Sequence, residues 1–310
     1  MERERESMKL VTFANNGATR LGALQDAMVI DILQAIKAYL GGTGKGGTIG
    51  SDFPSDMLSF LQRGDEIKKS VEDAIDWVIV HQKDELTLPL SHVILEAPIM
   101  NPSKVIGIGL NYADHCREQN IPLPESVLIF AKFPSSIIGP EENITWDPGV
   151  SQEVDYEAEL GVIIGREAFK INPQDAWDYI GGYTIINDVS ARDVQFADGQ
   201  WVRGKSFDTF CPMGPYLATP DEIQDPNNLN IKTRLNDTVV QDSNTSEMVF
   251  KIPEIISFIS KSITLMPGDV ISTGTPDGVG YFHDPKLLLK PGDVIEIEID
   301  GLGLLRNPVV

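Results

Sequence analysis

The sequence is poor in cysteine and has no paired metal-binding spacing. Only two cysteines, Cys116 and Cys211, occur among its 310 residues. A disulfide framework is therefore excluded, and a structural zinc site would need histidine ligands. The four histidines show no HxxxH spacing and the cysteines form no CxxC pair. We therefore expect neither a disulfide-stabilised protein nor a structural zinc protein.

Positive charge and long apolar runs are also scarce. Lys and Arg total 25 against 46 Asp and Glu, which gives a formal net charge of -21. Such a surface repels phosphate backbones and anionic lipids, so neither nucleic acid nor a membrane is an expected partner. The apolar runs, such as residues 162–165, are too short to span a bilayer. The charged start MERERES is followed by no apolar segment, which predicts no secretory signal and a cytoplasmic location.

The glycine-rich segment GGTGKGGTIGSDF, residues 41–53, contains a Gly-Lys pair that resembles part of a phosphate-binding loop. The Walker pattern requires a glycine five positions before that pair and Ser or Thr after it. Here Tyr39 and Gly46 stand at those positions. The segment therefore predicts an ordinary loop.

Two regions that differ in their predicted secondary structure follow one another along the chain. Alternating residues from Lys9 and the turn Asn15-Asn16-Gly17 predict a hairpin, and residues 56–80 have helical apolar spacing. After the prolines near residue 100, short β-rich runs alternate with Gly and Pro, and helices are expected only at 173–179 and 253–260. We predict a β-rich α+β fold, with a small N-terminal α+β domain (1–100) and a larger domain (101–310).

Two glutamates in DYEAELGVII are the first candidates for a metal site. Alternate residues of a strand share a face, so Glu157 and Glu159 point the same way at the start of an apolar run. Two carboxylates that lose water together need a compensating positive charge, and a divalent cation supplies it best. The alternative is a strand end at which both acids face water.

Asp188 ends a second apolar strand, and Arg192 and Gln195 follow at helical spacing. Asp188 could supply a third oxygen ligand, with Arg192 and Gln195 reaching a substrate carboxylate or carbonyl. The alternative is an N-cap aspartate that forms an i,i+4 ion pair with Arg192.

The remaining candidates lie in three short segments. His115 and Glu118 are spaced i,i+3, and a carboxylate beside an imidazole suits a general base; alternatively they are an exposed helical pair of little consequence. Lys205 comes from a glycine-containing stretch. Thr275 lies in a Gly/Thr-rich loop able to bind an anion. Both could instead belong to ordinary turns.

Five segments in this order resemble the fumarylacetoacetate hydrolase family, and they span roughly residues 104 to 310. They are GLNYADHCRE, DYEAELGVIIG, YTIINDVSARDVQ, GKSFDTFCPMGP and STGTPDGVG. The resemblance implies a mixed β-sandwich roll as the catalytic domain, usually dimeric. It also implies Mg²⁺ or Mn²⁺ held by Glu157, Glu159 and Asp188.

The resemblance also implies roles for the other candidates. His115 and Glu118 would form the dyad that activates water or moves a proton, and Lys205 would stabilise developing negative charge. Arg192, Gln195 and Thr275 would bind substrate oxygens. The founding hydrolase carries a further acidic ligand that has no counterpart near Asn111, which argues against fumarylacetoacetate as the substrate.

The expected reaction is metal-dependent cleavage of the C3–C4 bond of a small 2-oxo acid. It would be oxaloacetate decarboxylation, or hydrolysis of an acylpyruvate or fumarylpyruvate, carried out by a homodimer. One alternative is the 2-hydroxyhepta-2,4-diene-1,7-dioate isomerase/decarboxylase of aromatic catabolism. An alternative from another class is a non-catalytic partner-binding protein.

Overall fold

A computed structural model describes residues 8–44 and 53–310. The first seven residues and residues 45–52 lie outside the described residues. The predictions that fall there, an absent secretory signal and most of the glycine-rich loop, are therefore not addressed by the structure.

The N-terminal region begins with the predicted hairpin, which is confirmed: Lys9 to Asn15 pairs antiparallel with Ala18 to Gln25. Asn16 and Gly17 both adopt positive φ, 51° and 75°, as a tight hairpin turn requires. The elements here are β1 (Lys9–Asn15), β2 (Ala18–Gln25), β3 (Met28–Asp31), α1 (Ile32–Thr43), α2 (Met57–Arg63), α3 (Asp65–Val80), β4 (Thr87–Pro89) and β5 (Ile94–Glu96).

The larger region is rich in strands, as predicted. Its elements are β6 (Val105–Gly109), α4 (Ala113–Glu118), β7 (Leu128–Lys132), β8 (Ile137–Ile138), β9 (Val154–Asp155), β10 (Ala158–Ile164), β11 (Ile180–Asn187), β12 (Ser190–Ala191), α5 (Arg192–Asp198), α6 (Val202–Lys205), β13 (Cys211–Ala218), β14 (Asn230–Leu235), β15 (Thr238–Asn244), α7 (Ile252–Ser260), β16 (Val270–Ser272), β17 (Val294–Ile299) and β18 (Gly303–Pro308).

The helix predicted at 253–260 is confirmed as α7, whereas Pro173–Tyr179 forms a 3₁₀ helix instead of an α-helix. There the Asp175 N–H donates to the Asn172 carbonyl three residues back, at 3.1 Å. The other 3₁₀ turns are Asp84–Leu86, Leu90–His92, Pro134–Ser136, Pro220–Glu222, Thr245–Glu247 and Gly280–Phe282.

One mixed twelve-stranded sheet runs through both regions, in the order β4-β3-β2-β1-β13-β11-β10-β16-β6-β7, with β5 against β1 and β8 against β13. A four-stranded sheet, β15-β14-β17-β18, and the pair β12-β9 complete the fold. This β-rich α+β architecture agrees with the prediction. Because β1 pairs with β13, backbone hydrogen bonds join the two regions, and the boundary near residue 100 stays a prediction.

Strand β10 lies in the middle of this sheet, between β11 and β16, and all seven of its residues are buried. Leu160, Val162 and Ile164 belong to the same apolar core as Ile255 and Ile256 of α7. In the described ranges, no helix is both long enough and apolar enough to cross a membrane.

Candidate active site

The sheet pairing brings the three predicted metal ligands together. Strands β10 and β11 are antiparallel, with Ala158 opposite Asn187, so the start of one strand lies beside the end of the other. Glu157, Glu159 and Asp188 are all buried, and each offers one oxygen within 4.8 Å of the others. The alternative of a strand end facing water therefore does not describe this site.

Basic side chains reach two of these carboxylates. Lys205 Nζ lies 2.5 Å from Glu157 Oε2 and 2.6 Å from Asp188 Oδ2. Arg192 Nη2 donates to Glu157 Oε1 at 2.6 Å. Burial raises the pKa of Glu157, but Arg192 and Lys205 outweigh burial and hold that pKa below its usual value. Glu157 is therefore an ionised carboxylate.

Glu159 has a different environment. Its Oε2 accepts from Ser272 Oγ at 2.5 Å and from the Gly274 N–H at 2.8 Å, both neutral donors. Burial, and after it the charges of Asp188 and Glu157, raise the pKa of Glu159 well above its usual value. The local environment thus disfavours a third negative charge unless a further positive charge is present.

When all four buried carboxylates of the site are ionised, they exceed its three cations by one negative charge. Hard oxygen donors with a surplus of negative charge suit Mg²⁺ or Mn²⁺, so these residues fit the implied cation. The carboxylates are Asp155, Glu157, Glu159 and Asp188, and the cations are Lys132, Arg192 and Lys205.

The two residues of the predicted dyad contact each other on the short helix α4. His115 Nδ1 lies 3.1 Å from Glu118 Oε2, and the Gly278 N–H donates to Glu118 Oε1 at 2.9 Å. The rings of His115 and Phe282 pack in a T-shaped arrangement, with 5.9 Å between their centroids. A carboxylate that accepts from Nδ1 fixes the tautomer in which Nε2 is the basic nitrogen. His115 is only 5% exposed, so the alternative of an exposed helical pair does not describe it.

A close approach of two helices places Lys205. A Cβ at Gly204 would lie 2.7 Å from the Gln195 backbone nitrogen, so glycine lets α6 lie against α5. Burial lowers the pKa of Lys205, but Asp188 and Glu157 outweigh burial and keep that pKa above its usual value. Lys205 is therefore an ammonium.

The predicted substrate-binding residues line the same pocket as His115, Glu157 and Glu159. The alternative of an i,i+4 ion pair between Arg192 and Asp188 does not hold, because Arg192 pairs with Asp155 and Glu157 instead. Its Nε and Nη2 donate to Asp155 Oδ2 at 2.9 and 2.8 Å, and its Nη1 donates to Gln195 Oε1 at 3.2 Å. Gln195 can thus offer a substrate its amide N–H. The aromatic rings of Phe130, Trp201 and Phe282 line the pocket as well.

Sequence reasoning missed three residues that hold the site together. Asp155 anchors Arg192, Lys132 contacts Asp188, and Gln241 bridges β10 and the Thr275 loop. Gln241 Oε1 accepts from the Ala158 N–H at 3.0 Å, and its Nε2 donates to Thr275 Oγ at 3.0 Å. Only Asp155 had a local signal, since it precedes Glu157 and Glu159 at the same alternate spacing.

Comparison with known proteins gives matches over most of the chain. The family described as Fumarylacetoacetate (FAA) hydrolase C-terminal matches residues 104–310. A mitochondrial oxaloacetate tautomerase of Xenopus laevis is 46% identical over 309 residues, which cover 98% of this chain and 91% of the relative.

Solved structures agree with these matches. A fumarylacetoacetate hydrolase from Exiguobacterium antarcticum superimposes with a TM-score of 0.81 at 35% identity, covering 97% of this chain and 99% of the other. A 2-hydroxyhepta-2,4-diene-1,7-dioate isomerase from Mycobacterium marinum gives a TM-score of 0.72 at 32% identity, covering 98% of each chain. The likeness thus extends over both regions of the chain.

Proposed function

The chain belongs to the fumarylacetoacetate hydrolase family, and from that premise we propose that it interconverts the enol and keto forms of a small 2-oxo acid such as oxaloacetate. The observation that carries the proposal is a buried histidine, His115, which contacts Glu118 and lines the same pocket as Glu157 and Glu159 of the acidic cluster. The name of the Xenopus relative, an oxaloacetate tautomerase, supports the same substrate.

The proposed cofactor is Mg²⁺ or Mn²⁺, held by Glu157, Glu159 and Asp188. When bound, such an ion withdraws electron density from a 2-oxo carboxylate and so acidifies the hydrogens on C3. The support for this cofactor is the convergence of three buried carboxylates and the charge that they leave unbalanced.

Proton transfer falls to His115. With Nδ1 facing Glu118, Nε2 is the nitrogen that takes a proton from C3 of the keto form. The resulting imidazolium, stabilised by Glu118, gives that proton to the 2-oxo oxygen, which yields the enol and restores the neutral imidazole. Conversion of the enol to the keto form runs the same two transfers in reverse. The second oxygen of Glu118 is held by the Gly278 N–H, so the carboxylate stays aligned with the ring.

Lys205 and three other residues bind the substrate in this proposal. Lys205 Nζ has three N–H donors, of which Glu157 and Asp188 take two, so the third remains for the substrate's 2-oxo oxygen. Thr275 Oγ accepts from Gln241 Nε2, so its own O–H is free to point at a substrate carboxylate. Arg192 retains one N–H of Nη1, and Gln195 offers its amide.

Cleavage of the C3–C4 bond, by oxaloacetate decarboxylation or by hydrolysis of an acylpyruvate or fumarylpyruvate, is the second candidate. The same dyad could activate water, and the aromatic wall of Phe130, Trp201 and Phe282 would suit an apolar group beyond C4. Isomerisation of 2-hydroxyhepta-2,4-diene-1,7-dioate is a third proton-transfer option, named for the Mycobacterium marinum neighbour. A purely non-catalytic role would leave the buried charged site without a use.

We also propose that the protein is a homodimer assembled through its β-rich region. Support comes from the edge strand β7, which exposes Leu128 and Ile129, and from the adjacent Phe133, which is 57% exposed. A monomeric mass by light scattering would contradict this. The cytoplasmic location and the absence of nucleic-acid and membrane partners remain predictions, and the Xenopus relative is named mitochondrial.

A substrate panel tests the proposed function. Oxaloacetate enol, acetylpyruvate and fumarylpyruvate would be followed by nuclear magnetic resonance with Mg²⁺, with Mn²⁺ and after EDTA treatment. We expect enol loss to be the fastest reaction, to disappear in EDTA and to return with either metal. Full activity in EDTA would contradict the metal site, and cleavage faster than enol loss would favour the second candidate.

A further inference from the structure

Lys132 is an unusually placed lysine. It ends the edge strand β7, where Leu128, Ile129 and Ala131 are exposed, yet its own side chain is fully buried. An ammonium group is removed from water only at a large cost in free energy unless acceptors surround it. The groups that accept hydrogen bonds from Lys132 therefore indicate its role.

Three acceptors converge on the Lys132 ammonium. Nζ donates to Asp188 Oδ1 at 2.6 Å, to the Val189 carbonyl at 3.3 Å and to the Lys205 carbonyl. An ammonium has three N–H donors, so all of them are used within the protein. Lys132 is thus not available to a substrate, and it can act only through Asp188 and the backbone around it.

These contacts give the two oxygens of Asp188 different roles. Oδ1 faces Lys132, while Oδ2 lies 2.6 Å from Lys205 Nζ, which also contacts Glu157 Oε2. Oδ2 is therefore the oxygen on the side of the acidic cluster. Since Lys132 also holds the carbonyls of Val189 and Lys205, it fixes the backbone on both sides of this carboxylate.

We propose that Lys132 is a positioning residue that makes the metal site selective for Mg²⁺ or Mn²⁺ over Ca²⁺, by leaving Asp188 a single oxygen to offer. The inference rests on the proposed metal site. Mg²⁺ needs near-ideal octahedral geometry, whereas Ca²⁺ takes six to eight oxygens and accepts both oxygens of one carboxylate. A carboxylate limited to one oxygen favours the smaller coordination number.

The test is metal binding to the substrate-free protein, measured by isothermal titration with MgCl₂ and with CaCl₂ after EDTA treatment and dialysis. In Lys132→Met, Asp188 can turn and offer both oxygens. We expect Mg²⁺ affinity to fall by about 10- to 100-fold, the usual effect of losing a partner of a metal ligand, and Ca²⁺ affinity to fall by a clearly smaller factor.

Lys104→Met is the matched control. Lys104 Nζ pairs with another fully buried aspartate, Asp269, at 2.7 Å, and Asp269 is not among the proposed ligands. This variant should bind both ions as the wild type does. If Lys132→Met does not fold, Lys132→Arg keeps the charge and carries the test, because a planar guanidinium cannot place one nitrogen against three converging acceptors.

The ratio of the two affinities decides the outcome. A fall in affinity that is equal for the two ions, larger for Ca²⁺ or absent would overturn the role of Lys132. Wild-type protein that binds no Mg²⁺ would contradict the metal site and this inference together. Because the readout is heat of binding, absence of tautomerase activity alone would leave the inference standing.

Discussion

The segment from Glu157 to Ile164 has two ends that are equally buried and chemically opposite. At one end, Glu157 is 5% exposed and Glu159 is 1% exposed, and their carboxylates contact Lys205, Arg192 and Ser272. At the other end, Ile164 is fully buried in an apolar core. Residues that are equally buried thus carry carboxylates at one end of the segment and hydrocarbon side chains at the other.

The two ends act on stability in opposite directions. Burial of hydrocarbon stabilises the fold, whereas burial of a carboxylate costs free energy that its partners only partly return. A buried carboxylate without a cationic partner, such as Glu159, therefore lowers the stability of the fold, and we attribute its presence to function. We expect substitutions at the polar end to change activity more than stability, and substitutions at the apolar end to do the reverse.

The largest effect is expected from the proton-transfer group beside the polar end. His115→Ala should lower kcat for oxaloacetate tautomerisation by about 10²–10⁴-fold, the usual contribution of a positioned general base. His81→Ala is the control, since that imidazole is exposed and contacts only the Trp77 carbonyl and ring among the described residues. Initial rates and Mg²⁺ affinity would both be measured. Loss of bound metal in His115→Ala would assign His115 to the metal site instead.

At the apolar end the expectation is reversed. Ile164→Ala should lower the free energy of unfolding by about 2–5 kcal/mol, because it leaves a cavity in a fully packed core. The folded variant should keep nearly wild-type kcat. The same substitution at the exposed Ile94, which is 67% accessible, should change stability by less than about 0.5 kcal/mol. Urea unfolding measures the stability of both variants. A folded but inactive Ile164→Ala protein would contradict the expected difference between the apolar and the polar end.

A smaller and pH-dependent effect is expected at Glu159. The pKa of Glu159 is raised in the folded state, so the folded protein holds this proton more tightly than the unfolded chain does. The stability that this gives is fully present below the ordinary glutamate pKa of about 4.3. It is lost as the pH rises through the raised pKa, because Glu159 then ionises inside the protein. In EDTA above neutral pH, Glu159→Gln should therefore melt at a higher temperature than the wild type. It should lose most of the Mg²⁺-induced stabilisation, which is about 2.7 kcal/mol at 100 times Kd.

The control for that substitution is Glu298→Gln, which changes an exposed carboxylate paired with Arg234. Its melting temperature should respond to pH and to Mg²⁺ as the wild type does. A Glu159→Gln protein that melts lower than the wild type in EDTA at every pH would show that Glu159 is not strained by its neighbours.

The smallest effect is expected at the edge of the site. Thr275→Val removes the proposed hydroxyl donor and should raise KM roughly fivefold, which corresponds to one hydrogen bond of about 1 kcal/mol. Thr238→Val, on the exposed part of β15, should leave KM unchanged. A change in kcat without a change in KM would show that Thr275 does not act in substrate binding.

Local spacing was enough to predict the parts of the site that lie close together in sequence. The alternation of Glu157 and Glu159 and the i,i+3 spacing of His115 and Glu118 depend only on strand and helix geometry. The position of Asp188 at a strand end follows from an apolar run. The β-rich α+β class follows from short strands bounded by Gly and Pro.

Contacts between distant residues could not be predicted in the same way. Lys132 meets Asp188 across 56 positions, and Gln241 meets Ala158 across 83. Nothing in the local pattern shows which buried carboxylate a lysine at the end of a strand will reach. Arg192 illustrates the limit, since helical spacing offered Asp188 as its partner and the sheet pairing supplied Asp155 and Glu157.

The most direct test of this account is a crystal structure of the protein grown with Mn²⁺, with anomalous scattering recorded to locate the ion. We expect one anomalous peak at about 2.0–2.3 Å from one oxygen each of Glu157, Glu159 and Asp188. No peak within reach of these three carboxylates, or a peak bound by other residues, would contradict the central claim that the polar end of this strand is a metal site.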